Sequence, residues 1–190
     1  MIDDTMSRVL GILESKGVVV IVDGSQVILD CRGSELNEDD FKSLGEIDTL
    51  VWLSCDDLEI DSGLTSAVSQ LKSLEYLSLC DCNIHSEMLT DLGQLASLKI
   101  LRLQGLRGAR FLPEQIRLLS SLESLDISRS DAGSAVLSEL LGMEALTDIK
   151  LEGTGISRDE VEALNRESPN ANRFISIQLG DGSHATITRP

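Results

Sequence analysis

The sequence predicts an α/β solenoid, a stack of strand-plus-helix coils that share one parallel sheet, and three observations predict it. Leucine or isoleucine recurs at Leu29, Leu53, Leu77, Leu101, Leu125 and Ile149, with every step 24 residues. Around each anchor apolar and polar residues alternate as they do in a strand: Leu77 and Leu79 against Tyr76, Ser78 and Cys80. Between anchors, apolar residues fall at helical spacing, as at Met88, Leu89, Leu92 and Leu95. One coil cannot cover its own leucines, so coils must stack and bury them together. Strands pack closer than helices, which predicts a curved parallel sheet on the concave face, with helices on the convex face and caps at both ends.

The elements follow in chain order. Met6, Val9, Leu10 and Leu13 mark an amphipathic helix after Asp3-Asp4-Thr5, where an N-cap belongs. Val18 to Val22 leads through Asp23-Gly24-Ser25 into Val27-Ile28-Leu29, a hairpin with Asp-Gly at its turn. The coils then keep two further columns in phase: Leu50, Leu74, Leu98, Leu122, Leu146, and Leu44, Val68, Leu92, Ile116, Leu140, Leu164. Regularity is weakest in the fourth coil, where Gly108 replaces an inward aliphatic and Phe111-Leu112-Pro113-Glu114 intervenes; Ala132 follows in the fifth. Phe174 to Ile177 reads as the last parallel strand after a longer step of 26 residues, and Gly180 to Thr188 as a closing hairpin. Gln26 and Asn172 stand where the coils between them have leucine, as suits ends that no further coil covers. A single domain is expected over 1–190: cap 1–28, repeats 29–168 and cap 169–190.

These coils resemble the leucine-rich-repeat family, on Leu50 to Ile60, Leu74 to Ile84, Leu98 to Gly108, Leu122 to Ala132 and Leu146 to Ile156, all in one frame. The segment Leu146-Thr147-Asp148-Ile149-Lys150-Leu151-Glu152-Gly153-Thr154-Gly155-Ile156 is similar to bacterial 24-residue repeats of the form L-x-x-L-x-L-x-x-T-x-I. The resemblance implies a parallel-sheet solenoid that binds proteins, and it brings no catalytic residues to carry over.

Charge narrows the partners. The 190 residues carry a formal net charge of −16, and residues 1–95 hold 19 acids against 5 bases while 96–190 hold 13 against 11. Such a chain repels phosphates, which argues against nucleic acid, and its N-terminal half suits a protein or peptide of basic character. No apolar run approaches the roughly 18 residues of a membrane span, and Met1 to Thr5 lacks the layout of a signal peptide. A cytoplasmic protein away from the membrane is expected.

Chemistry is sparse. The two histidines, His85 and His184, join no nucleophile–base grouping, and no phosphate loop or metal-ligand spacing appears. The sequence therefore predicts neither an enzyme nor a cofactor. Cys31, Cys55 and Cys82 fall on inward columns as small buried hydrophobes, whereas Cys80 is expected to face outward and label readily. The lead is the outward column before each anchor: Ile28, Trp52, Tyr76, Ile100, Ser124, Asp148 and then Phe174. Ile28, Trp52, Tyr76 and Ile100 should line up over roughly 15 Å, and they bring together the only tryptophan and the only tyrosine. Large aromatics left exposed are favoured binding anchors. Asp56 and Asp57 supply an acidic edge, Arg102 a basic group in a polar rim, and Lys99, Arg102, Arg107, Arg110 and Arg117 a local basic cluster. These features predict a non-catalytic interaction module, with a regulatory or substrate-recognition subunit of a larger enzyme complex as the alternative.

Overall fold

The computed structural model describes residues 3–60, 62–68, 70–84, 91–106, 116–140, 142–167 and 173–189. Helix α1, Asp4–Ser15, begins at Asp3, whose Oδ1 accepts the Met6 backbone N–H at 2.8 Å. Its buried stripe is Met6, Val9, Leu10 and Leu13, the 3.6-residue period read from the sequence. Strands β1, Val19–Asp23, and β2, Gln26–Asp30, form an antiparallel hairpin in unbroken register. Gly24 takes φ +60° at the first turn position, a conformation glycine adopts without steric cost. Helix α2, Glu38–Ser43, is closed by a capping box between Asn37 and Asp40. The Asp40 carboxylate also receives the Lys16 ammonium, which ties the end of α1 to the start of α2.

Strands β3, Leu50–Ser54, β4, Tyr76–Ser78, β5, Ile100–Arg102, β6, Ser124–Asp126, and β7, Asp148–Lys150, follow, with β8, Arg173–Gln178, and β9, His184–Arg189, at the end. Helices α3, Ser62–Val68, α4, Ala135–Leu140, and α5, Arg158–Glu167, alternate with them. All nine strands lie in one sheet in sequence order. The junctions from β2 to β8 are parallel, and the β8–β9 junction, like the first, is antiparallel. One sheet face joins the helices in a continuous apolar core from Met6 to Ile187. Leu29, Leu53, Leu77, Leu101, Leu125, Ile149 and Ile177 are each 0% exposed on adjacent strands, so the 24-residue anchor column is a stacked core column.

Two registers differ from expectation. Ile149 pairs with Ile177, so the last step is 28 residues rather than 26, and Ser176 rather than Phe174 lies opposite Asp148. The inside–outside parity survives because the slip is two residues, one full strand period. At the other end the β2–β3 pairing shifts between Val27 and Ile28, which sets buried Val27 opposite Leu50. Apolar Val27, not Gln26, therefore continues the leucine column, and exposed Gln26 pairs with Asp23 at the hairpin tip. The expectations for Met88, Leu89, Gly108, Asn172, and Phe111 to Glu114 fall outside the described residues.

A second 24-residue column emerges from the backbone. Gly33, Asp57, Asp81, Gly105, Arg129 and Gly153 all have positive φ, between 56° and 71° for the first three and between 56° and 76° for the last three. Each turn bends the chain out of the strand toward the helical layer. The amides of Asp57, Asp81, Gly105 and Arg129 donate to the carbonyls of Cys80, Gln104, Ser128 and Glu152 in the next coil, which carries the ladder past the strand ends. Gly105 is glycine for a further reason: a Cβ there would lie 2.1 Å from Asp81 Oδ1. The vacant space lets Asp81 reach across to Arg129, with Nη2 to Oδ2 at 2.7 Å.

Candidate functional site on the open sheet face

The sheet face away from the core carries its side chains in rows, because paired residues on neighbouring strands point the same way. The first row runs Ile28, Trp52, Tyr76, Ile100, Ser124, Asp148 and Ser176 across the parallel strands. Ile28, Trp52 and Tyr76 are partly exposed and Ile100 is 38% exposed. The Trp52 and Tyr76 rings stack with centroids 4.7 Å apart and planes 10° from parallel. Parallel strands stand about 4.8 Å apart, so matched rotamers on paired residues bring the rings into contact without backbone distortion.

The hairpin extends this row. Ile21 pairs with Ile28 and Val19 with Asp30, so both β1 side chains share the open face. Sequence reasoning overlooked them, although a two-residue turn at Gly24-Ser25 dictates those pairings. The apolar row is thus Ile21, Ile28, Trp52, Tyr76 and Ile100.

The second row, Asp30, Ser54, Ser78, Arg102 and Asp126, and the third, with Arg32, Asp56 and Cys80, are polar and largely hydrogen-bonded among themselves, with Val19 of the hairpin the apolar end of the second. Asp56 accepts from Ser54 Oγ at 3.2 Å, from Ser78 Oγ at 2.6 Å and from the Cys80 backbone N–H at 2.8 Å. Its carboxylate is a staple between coils, and exposed Asp57 is the freer acid of the pair. Arg102 donates to Tyr76 Oη at 3.5 Å and holds Asp126 at 3.7 Å, which brackets the aromatic pair with a guanidinium. Asp126 also accepts the Ser128 N–H at 3.0 Å. Arg32 grips Asp30 at 2.6 Å and, by that hydrogen bond first, holds its carboxyl below the usual range.

Cys80 departs from expectation. It shares the open face with Ser78, Sγ to Oγ at 3.4 Å, yet it is only 6% exposed, and burial pushes its thiol pKa up. Direction was read correctly and depth was not: the Asp56 staple draws Ser78 and the Cys80 backbone together beneath the rim. Cys31, Cys55 and Cys82 are buried in the core, and Cys82 donates to the Cys55 carbonyl at 2.9 Å. Lys99 and Arg117 of the basic cluster are engaged with Glu75 at 2.8 Å and Glu139 at 2.9 Å. Arg107 and Arg110 lie outside the described residues. Among the described residues no group of three or more His, Cys, Asp or Glu side chains could hold a metal ion. Among them, too, no helix is long and apolar enough to cross a membrane.

No protein-family model matches the chain, and no curated protein matches it. Among solved structures it is similar to an internalin from Listeria monocytogenes, with 13% identity and a TM-score of 0.44. That match covers 73% of this chain and 49% of the internalin, so the chain spans about half of that protein's length. A likeness this distant assigns neither family nor function.

Proposed function

We propose that the chain is a non-catalytic interaction module, a leucine-rich-repeat solenoid over residues 1–190 whose open, concave face holds a protein or peptide partner in the cytoplasm. The observation that carries this reading is the Trp52–Tyr76 stack, partly exposed in the middle of an apolar row. Apart from Val19 on the hairpin, the rest of the same face is polar and largely hydrogen-bonded within itself, so the row is its continuous apolar strip. Ile28, Trp52, Tyr76 and Ile100 form the anchor, with Arg102 and Asp57 as polar flanks and Asp56 holding the strand ends in place. Residues 1–95 hold 19 acids against 5 bases, a surplus of 14 negative charges that a partner of basic character would neutralise.

The test compares wild type with Trp52→Ala and Tyr76→Ala as immobilised baits, with captured proteins identified by mass spectrometry. Proteins that wild type retains and both variants lose are the expected partners, and their affinity should fall by about 2 kcal/mol or more if the aromatics are hot spots. Identical capture by all three folded baits rules the row out. Capture of a complete enzyme assembly through the same residues favours the regulatory-subunit alternative.

A further inference from the structure

The sheet has two ends, and they are finished differently. At β9 the residues alternate: exposed His184 and Thr186, buried Ala185 and Ile187. At β1 the strand reads Val19-Val20-Ile21-Val22-Asp23, and Val19, Ile21 and Val22 are 56%, 51% and 43% exposed. Only one edge of β1 is hydrogen-bonded, to β2; no strand among the described residues takes the other. Proteins guard such edges with lysine, proline, a bulge or a very short strand. Lysine, proline and a bulge are absent from β1, whose one charged residue, Asp23, stands at its hairpin end and whose five pairings with β2 run without interruption.

Charge says what fits there. Asp23 stands at the hairpin end of β1, and Glu14 and Glu35 flank its start, where the Glu35 amide donates to the Lys16 carbonyl. All three are exposed, and no ion pair among the described residues engages them. The nearby cation, Lys16, is already held by Asp40. A second copy would bring its own acidic half against this edge, and like charges oppose that approach.

We propose that the free edge of β1 accepts an extended partner segment as a tenth strand, one with β-branched residues at its centre and Lys or Arg at both ends. Main-chain hydrogen bonds supply the affinity in this mode, and alternate side chains supply the specificity. Its open-face residues pack beside Val19 and Ile21, its opposite-face residue beside Val22, and its basic ends meet Asp23 on one side and Glu14 and Glu35 on the other. The site shares Ile21 with the aromatic row, but the free β1 edge, Val19 and Val22 belong to it alone, so exchange at β1 and Val19→Thr test it apart from Trp52 and Tyr76.

The probe is a capped peptide, Lys-Lys-Val-Ile-Val-Lys-Lys, added to the full chain. Amide hydrogen exchange at Val19–Asp23 should slow roughly tenfold at saturation, with β9 unchanged. The same peptide N-methylated on every residue keeps its charge but can donate from neither strand edge, and it should bind roughly tenfold more weakly. Glu-Glu-Val-Ile-Val-Glu-Glu should not bind. Val19→Thr and Ile21→Thr, both neutral and strand-compatible, should each weaken the basic peptide while melting near wild type. Unchanged exchange at β1, equal binding of the N-methylated peptide, or equal binding of the acidic one overturns the proposal. So does a wild-type dimer in sedimentation that Ile21→Thr dissolves, because the occupant is then a second copy.

Discussion

The two halves of the open sheet face share one backbone and differ in chemistry. From Ile21 to Ile100 the first row is apolar and holds the stacked aromatics; from Ser124 onward the same row continues as Asp148, Ser176 and Thr186. Beneath both halves the anchors are equally buried, and the strands pair in the same way. Core and surface therefore carry different information. The repeating leucines specify stacking and would do so for any partner, whereas the row above them changes where the backbone does not. The change of chemistry bounds the row proposed above to hold a partner.

The sharpest way to test that division is to remove one side chain from each layer of two neighbouring coils. Leu77→Ala leaves a void in a fully buried column and should cost about 2–5 kcal/mol of stability. Trp52→Ala removes a larger side chain from the open face, where only the ring stacking and part of its apolar contact are lost, about 0.5–1.5 kcal/mol for the stacking. Thermal melts of the two variants check the order. If Trp52→Ala is as damaging as Leu77→Ala, the aromatic pair is core and the comparison collapses.

Gly105→Ala should come next. Its φ of +76° disfavours a side chain, and the new Cβ would meet the Asp81 carboxylate that now reaches Arg129. A left-handed non-glycine residue costs roughly 1–2 kcal/mol, and the displaced ion pair adds to it. Chemical denaturation of the variant checks this, and a loss no larger than that of a surface substitution would mean the turn is free to relax. The thiols give a separate effect, one confined to high pH. Burial raises Cys82 to about 11, while the same thiol in the unfolded chain ionises near its ordinary value of 9.0. Both states hold the proton below 9.0, so nothing is lost there; between the two values only the unfolded chain releases it. Stability should fall with rising pH across that window by up to about 1.4 kcal/mol per unit for one thiol. All four cysteines should resist alkylation in the folded chain, and rapid labelling of Cys80 alone would show that the Asp56 staple opens in solution.

What the sequence disclosed was direction; what it withheld was depth and reach. Period-two alternation determines which way Ser78 and Cys80 point, and it pointed them correctly. It is silent on Asp56, whose carboxylate crosses to the neighbouring coil and buries them. The leucine column carried the register wherever the step was constant, and it misled at β8, where the step lengthens to 28 and no repeat constrains it. Ile21 was within reach of sequence reasoning, since the two-residue hairpin turn sets it opposite Ile28. The antiparallel hairpin lies outside the 24-residue repeat, so the repeat pattern alone does not bring Ile21 onto this face. The left-handed turn column was harder to see, because Asp57, Asp81 and Arg129 occupy it in place of glycine.

That substitution pattern leads to the smallest expected effect. Asp57 is exposed, sits at φ +59° and occupies the position held by Gly33 one coil earlier. Its backbone N–H already bonds the Cys80 carbonyl, a bond that glycine keeps. Unlike Asp81, it spans no neighbouring coil through an ion pair among the described residues. Asp57→Gly should relieve the left-handed strain but widen the freedom of the unfolded chain, so the net gain is about 0.5 kcal/mol or less. A melt slightly above wild type would mean that the aspartate side chain contributes nothing to folding. Its place beside the proposed partner-binding row would then call for a binding explanation, and the same variant should weaken capture of a basic partner more at low salt than at high salt. A melt clearly below wild type would instead give Asp57 a structural role and leave the aromatic row to act without an acidic flank.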